Sequence, residues 1–204
     1  MGQSSSQPQI GILILAAGSS TRLGVGATPK QLLVYKGQTL IRRAAETALG
    51  SVCRPVVVVL GANAVAVGAE LELPLIVTRN HEWETGMASS LRVGLEAVLA
   101  AAGDIDAVVV LLCDQPFVTT ELIDTLIERR RETGRTIVAS EYNDARGVPA
   151  LFARELFAEL RELSGHEGAR QIIRKHPHDT VAVAFAGAAI DIDTRDDYLA
   201  LCRA

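Results

Sequence analysis

The segment 10–33, IGILILAAGSSTRLGVGATPKQLL, constrains the fold more than any other part of the chain. Its opening run, 10–17, has no polar side chain, which is typical of a strand buried on both faces of a parallel sheet. The Gly-Ser-Ser sequence at 18–20 lets the backbone approach a ligand closely and point N–H groups at an anion. Arg22 and Lys30 add positive charge, so the segment predicts a phosphate-binding loop at the end of a central strand.

Two common phosphate-binding loops do not match this segment. A Walker loop needs a lysine between glycine and serine or threonine, whereas Lys30 lies between Pro29 and Gln31. The dinucleotide fingerprint needs a glycine three residues after Gly26, and Pro29 occupies that position. An ordinary surface turn is the simple structural alternative. The length and charge of the loop favour a phosphate-binding role instead.

Apolar runs alternate with helical patterns along the chain. Further strands are predicted at 55–60, 73–78, 107–113, 136–140, 181–185 and 189–192. Apolar stripes of helical spacing include Leu40, Leu91, Leu122 and Leu156, and Thr194 with Asp197 predicts the cap of a last helix. The alternation predicts an α/β fold in which helices cover both faces of a mostly parallel, doubly wound sheet. Ligands of such sheets bind beyond the carboxyl ends of the strands.

A carboxylate follows the apolar run 107–113. Pro116 stops that strand, so Asp114 is expected at the ligand-binding edge of the sheet. Carboxylate oxygens suit Mg²⁺, which takes its other ligands from water and phosphate. A turn or capping aspartate is the structural alternative. Asp193 ends another predicted strand and Asp191 shares its face, so alternation alone does not choose the second ligand between them.

The phosphate-binding segment belongs to a wider pattern. Its blocks are LAAGSSTRLG with PKQLL at 29–33, TGMASSLRVGL at 85–95, LLCDQPFVT at 111–119, DIDTRDDY at 191–198 and, more weakly, GVPALF at 147–152 with GHEGAR at 165–170. Together they resemble the MobA-like nucleotidyltransferases, specifically the molybdenum cofactor cytidylyltransferase branch. The resemblance implies a Rossmann-like three-layer α/β/α fold of the nucleotide-diphospho-sugar transferase type. It also implies Mg²⁺-dependent transfer of a nucleoside monophosphate from a triphosphate to an acceptor phosphate, with release of pyrophosphate.

The resemblance implies roles for individual residues. Asp114 and Asp193 would hold Mg²⁺, Lys30 would face the α-phosphate, and Arg22 with the loop N–H groups would hold the β- and γ-phosphates. The implied nucleotide-binding residues are Ala16, Ala17, Gly18, Ser19, Ser20, Arg22, Lys30, Gly86, Ser89 and Ser90. The two serines also suit the first turn of a helix. Guanylyltransferases of the family usually have glycine where Ala17 stands, so its methyl group favours CTP.

The acceptor region departs from the family pattern. Gly147, Pro149 and Arg170 are the implied acceptor-binding residues, but valine stands between the first two where the family has histidine or arginine. Molybdopterin or molybdenum cofactor is the acceptor that the resemblance implies, with a molybdoenzyme or a chaperone as partner protein. Two alternatives stay open: transfer to a sugar or alcohol phosphate, and a non-catalytic nucleotide-binding cofactor chaperone.

Composition limits the other possibilities. A chain of 204 residues with 49% hydrophobic residues predicts one domain, 10–204, after a flexible tail, 1–9. A net charge of −4 without a basic stripe argues against a nucleic-acid partner. The three cysteines do not suit a disulfide framework, and no apolar run is long enough to span a membrane. The expected location is the cytoplasm.

Overall fold

A seven-stranded sheet forms the centre of the computed structural model, which describes residues 8–20 and 28–203. The strands are β1 (Ile10–Ala16), β2 (Val34–Tyr35), β3 (Gln38–Thr39), β4 (Val56–Leu60), β5 (Ile76–Arg79), β6 (Ala107–Leu112), β7 (Ile137–Tyr142), β8 (Ala145–Ala153) and β9 (Thr180–Ala184). The order in the sheet is β5, β4, β1, β6, β8, β7, β9, and β2 pairs with β3 in a separate hairpin. Within the described residues, β8 alone runs antiparallel to its neighbours in the large sheet.

Helices cover both faces of this sheet. They are α1 (Leu40–Gly50), α2 (Ala64–Gly68), α3 (Met87–Ala101), α4 (Thr120–Thr133), α5 (Phe157–Glu162), α6 (Arg170–Lys175) and α7 (Arg195–Arg203). Side chains of α1 and α4 belong to the core on one face, and those of α3, α5 and α6 to the core on the other. The predicted α/β fold with a mostly parallel, doubly wound sheet is confirmed. None of the described helices combines the length and apolar character needed to cross a membrane.

Strand β1 is buried on both faces, as its apolar sequence predicts. Ile12 and Ile14 pack into the core under α1 and α4, while Leu13 and Leu15 pack into the opposite core. On that second face Gly94 of α3 lies directly against Leu13, where a Cβ atom would collide with the leucine side chain. This close approach sets the distance between α3 and β1.

Several elements differ from the sequence expectations. The predicted strand at 189–192 is wrong: Ala186–Ala189 forms a 3₁₀ turn, and the residues after it lie in no strand. Strand β8 was not predicted, and Pro149 lies within it although proline is uncommon in a strand inside a sheet. The hairpin β2–β3 and the short helices α2 and α6 gave too little periodicity to be predicted. At the predicted tail, Gln9 exchanges two 2.8 Å hydrogen bonds with Asp106, and residues 1–7 lie outside the described part of the chain.

The C-terminal segment is fixed against the centre of the sheet. The Ile192 N–H donates to the Asp114 carbonyl at 3.1 Å. The predicted cap of α7 is present, since the Thr194 N–H donates to Asp197 Oδ2 at 2.7 Å and the Asp197 N–H donates back to Thr194 Oγ1 at 3.2 Å. Tyr198 adds a 2.9 Å hydrogen bond to the carbonyl of Val34 in the hairpin. These contacts place Asp193, between the extended segment and the helix, beside the end of β6.

Candidate active site

A cleft of about 510 Å³ opens at the carboxyl ends of β1 and β6. The loop after β1, the 3₁₀ turn Lys30–Leu32, the start of α3 and the segment after β6 line its walls. The predicted site residues that line it are Ala16, Ala17, Gly18, Ser19, Ser20, Lys30, Gly86, Ser90, Asp114 and Asp193. Arg22 lies outside the described residues. The parallel sheet therefore gathers, at one edge, groups that are far apart in sequence.

Lys30 lies between the two predicted metal-binding carboxylates. Its Nζ donates a short hydrogen bond to Asp114 Oδ2 and lies 3.3 Å from Asp193 Oδ1. The Lys30 and Asp114 side chains are only 17% and 11% exposed. Burial acts to lower the pKa of the ammonium group, but the charge of Asp114, its hydrogen bond and the weaker field of Asp193 together raise that pKa above its ordinary value. Lys30 is therefore positively charged at neutral pH.

The carboxylate arrangement fits a divalent cation. Asp114 Oδ1 is buried and has no hydrogen-bond partner among the described residues, although an unsatisfied buried oxygen is costly. In the same part of the chain, no three His, Cys, Asp or Glu side chains form a metal-binding group. The protein offers two carboxylates at the cleft, which suits Mg²⁺ or a similar ion that shares its remaining positions with water and substrate phosphate. Asp191 is not among the residues that line the cleft, so the geometry favours Asp193 as the second ligand.

The two serines of the TGMASS block have different surroundings. Ser89 is buried, accepts a 2.8 Å hydrogen bond from Asn80 Nδ2 and lies 2.8 Å from the Gly86 carbonyl, and it does not line the cleft. This position favours the first-turn alternative for Ser89, and nucleotide binding by this residue stays a prediction. Ser90 does line the cleft and accepts from the same Asn80 amide at 3.0 Å. Asn80 directly follows β5, and its position at the end of a strand was not recognised from the sequence.

The predicted acceptor-binding residues lie outside the cleft. Gly147 and Pro149 are buried in β8, where a Cβ atom on Gly147 would collide with the Tyr142 hydroxyl group. Arg170 begins α6. Burial and the charge of Asp191 raise the pKa of the Tyr142 phenol, and the nearby charge of Arg170 opposes part of that increase. None of these three residues lines the cleft, and the nearby Tyr142 hydroxyl group leaves little room for a side chain at 147.

Part of the acceptor block instead closes one wall of the cleft. His166 lines the cleft, and the Gly165 carbonyl accepts a 3.2 Å hydrogen bond from the Ala88 N–H at the start of α3. Gly86 has a φ of 119°, and a Cβ atom there would collide with the Gly165 backbone. Trp83, in the 3₁₀ turn before Gly86, also lines the cleft, although nothing in the sequence predicted it there.

The contact between these loops gives a test of the wall. Gly86→Ala should destabilise the fold by about 2–4 kcal/mol, because an L-residue is strained at this φ and its methyl group meets backbone atoms that cannot rotate away. Chemical denaturation measures the change. Gly103→Ala is the matched control, since a Cβ atom there meets nothing within 4 Å. Equal stability of the two variants would show that the Gly86–Gly165 contact is loose.

Comparisons with known proteins identify the family of this chain. A protein of Paenarthrobacter nicotinovorans named nicotine blue oxidoreductase is 37% identical over an alignment of 191 residues, with coverage of 89% of this chain and 91% of that protein. The crystal structure of Rv0371c from Mycobacterium tuberculosis H37Rv is 32% identical, with a TM-score of 0.81 and coverage of 98% of this chain and 100% of that chain. A manganese complex of Rv0371c is 30% identical, with a TM-score of 0.80 and coverage of 96% and 99%. Residues 12–181 match the MobA-like NTP transferase domain, and the protein therefore belongs to the MobA-like NTP transferase family.

Proposed function

We propose that the protein transfers CMP from CTP to the phosphate of molybdopterin or molybdenum cofactor and releases pyrophosphate. The observation that supports this proposal is the position of Lys30 between Asp114 and Asp193, in the cleft that the loop residues 16–20 also line. Nucleotide binding alone needs a cationic loop but not a pair of carboxylates. The cytoplasm, where the acceptor would be delivered to a molybdoenzyme or its chaperone, is the proposed location.

The chain's own groups account for most of the reaction. The N–H groups of 18–20 would bind the β- and γ-phosphates, and the Lys30 ammonium would stabilise negative charge that develops on the α-phosphoryl oxygens. An oxygen of the acceptor phosphate forms the new bond to the α-phosphorus while the bond to the bridging oxygen of pyrophosphate breaks. That nucleophile is already anionic, so no general base is required.

The proposed metal is Mg²⁺, held by Asp114 and Asp193. When bound, it would supply Lewis-acid stabilisation of phosphate oxygens. The manganese complex of Rv0371c supports the use of a divalent cation in a relative of 30% identity. A covalent route through Cys113 is not favoured, because burial and the charge of Asp114 raise the pKa of its thiol to about 12 and keep it protonated.

Base choice gives the first test of the proposed donor. Ala17 lines the cleft and is 6% exposed, so its methyl group limits the space beside a base. CTP should therefore outcompete GTP in a transfer assay. Ala17→Gly should raise the use of GTP relative to CTP about tenfold, since one methyl group in a pocket is worth about 1–3 kcal/mol of discrimination. A wild-type preference for GTP would overturn the cytidylyl assignment.

The oxidoreductase name of the 37% identical relative favours a second candidate function. A nicotinamide dinucleotide also carries a pyrophosphate that the loop 16–20 would suit, and it would supply electrons to a second substrate. The paired carboxylates at the cleft argue for nucleotidyl transfer, because electron transfer from a dinucleotide needs no metal ligand there.

One screen separates the candidates. Pyrophosphate release is measured with each of the four nucleoside triphosphates, with and without molybdopterin, and then with sugar or alcohol phosphates as acceptors. Parallel wells contain NADH and a quinone-type acceptor and are read by loss of NADH absorbance. We expect release with CTP and molybdopterin. Release only with another phosphate would change the acceptor, and NADH oxidation without any release would favour the second function.

A further inference from the structure

Gln31 is a fully buried polar residue directly beside Lys30 in the sequence. Its Nε2 donates to the Ala16 carbonyl at 2.9 Å and to the Gly18 carbonyl at 2.7 Å. Its Oε1 accepts from Ser20 Oγ at 3.3 Å. One side-chain amide therefore holds the loop after β1 at three points, and both of its donor hydrogens are used on backbone oxygens.

These bonds decide which backbone groups face the cleft. The remaining carbonyl in the series, that of Ala17, accepts from the Ala62 N–H at 3.0 Å. All three successive carbonyl oxygens, 16–18, are thus satisfied from inside the protein. By contrast, none of the N–H groups of residues 18–20 donates to an acceptor in the described part of the chain. A loop with its oxygens turned inward and its donors left over presents positive partial charge to a ligand.

The same contacts connect the loop to the reacting cation. Ser20, whose φ is 60°, accepts a 3.0 Å hydrogen bond from the Lys30 N–H at its Oγ while donating to Gln31. The loop and the 3₁₀ turn Lys30–Leu32 are therefore one hydrogen-bonded unit. A change in the Gln31 amide should shift the loop N–H groups relative to the Lys30 backbone.

We infer that Gln31 is a positioning residue for the polyphosphate of the substrate. It holds the carbonyls of Ala16 and Gly18 away from the cleft and so keeps the N–H groups of 18–20 in place for the two terminal phosphates. The inference rests on the proposed function, because it assumes that this loop binds a triphosphate. A glutamate could not replace Gln31, since a carboxylate would face two carbonyl oxygens and donate to neither.

Ligands of different phosphate number test this role. Gln31→Met keeps nearly the same volume without donors, and Gln31→Glu keeps the shape with a repelling charge. In calorimetric titrations with Mg²⁺ present, both variants should bind CTP and pyrophosphate at least tenfold more weakly than the wild type. Binding of CMP, which lacks the terminal phosphates, should change less than twofold. A residue with a merely structural role would weaken all three ligands together.

Controls keep the outcomes separate. Gln38→Met removes a side-chain hydrogen bond to Glu46 outside the cleft and should leave all three affinities unchanged. If Gln31→Met and Gln31→Glu do not fold, Gln31→Asn takes their place, because it retains a neutral amide. It should show a smaller but equally selective loss of affinity for CTP and pyrophosphate. A folded variant that binds CTP and pyrophosphate as the wild type does would overturn the Gln31 role. A wild type that binds no nucleotide would instead overturn the proposed function.

Discussion

Asp114→Asn is expected to lower the rate of Mg²⁺-dependent nucleotidyl transfer at least about 100-fold while leaving the protein folded. The carboxamide has nearly the same shape but offers one neutral oxygen where a divalent cation prefers an anionic ligand. Asp114 is also the more buried of the two cleft carboxylates, so water cannot readily take its place. A coupled assay of pyrophosphate release across a range of Mg²⁺ concentrations measures the effect. Full activity at saturating Mg²⁺ would remove the metal role from Asp114.

Whether the same substitution stabilises or destabilises the metal-free protein depends on Lys30. From sequence alone, loss of the Asp114 charge relieves repulsion with Asp193 and should hold or raise the melting temperature without metal. The ammonium of Lys30 between these groups reverses that expectation, because the substitution now weakens an ion pair. We expect a loss of about 1–2 kcal/mol in the free energy of unfolding. Asp124→Asn is the matched control: its Oδ1 is also buried and unsatisfied within the described residues, and it does not line the cleft.

The centre of the site was predictable because it depends on strand ends. Strands β1 and β6 have uninterrupted apolar sequences, and in a parallel sheet the residues that follow such strands meet at one edge. That argument brings Gly18 and Asp114 to the same edge without any knowledge of side-chain contacts, whereas the placement of Lys30 beside Asp114 depends on the 3₁₀ turn that contains it. It also predicts a mostly parallel sheet, but it cannot reveal the antiparallel strand β8, in which Arg146 and Pro149 interrupt the apolar sequence.

Helix register and loop packing were beyond the reach of sequence. Ser89 and Ser90 are adjacent and both buried, yet successive residues of a helix point about 100° apart, so Ser90 lines the cleft and Ser89 does not. The position of Gly165 against Gly86 depends on how α3 and α5 pack, which no local motif reports. For the same reason the sequence could not show which residues of the acceptor block line the cleft: His166 does, whereas the three predicted acceptor-binding residues do not.

Lys30→Met is expected to reduce kcat at least about 100-fold and to change KM for CTP less than about threefold. Its ammonium is placed to stabilise charge that develops at the α-phosphoryl group, and such an interaction contributes mainly in the transition state. Steady-state kinetics with Mg²⁺ and CTP measure the split. Lys175→Met, at the exposed end of α6, is the matched control and should retain full activity. A variant of Lys30 with a normal kcat would contradict the assignment.

The same substitution, although it lowers activity, should increase the stabilisation of the protein by Mg²⁺. Without Lys30, the carboxylates of Asp114 and Asp193 would lack the ammonium that now lies between them, so the metal-free variant should melt at a lower temperature than the wild type. Added Mg²⁺ would meet two carboxylates without a competing cation, and should therefore raise the melting temperature of Lys30→Met more than that of the wild type. Thermal melts across a Mg²⁺ titration at constant ionic strength measure both effects, with Lys175→Met as reference. Equal metal responses in the two proteins would mean that Lys30 and the cation do not compete for the same pair of carboxylates.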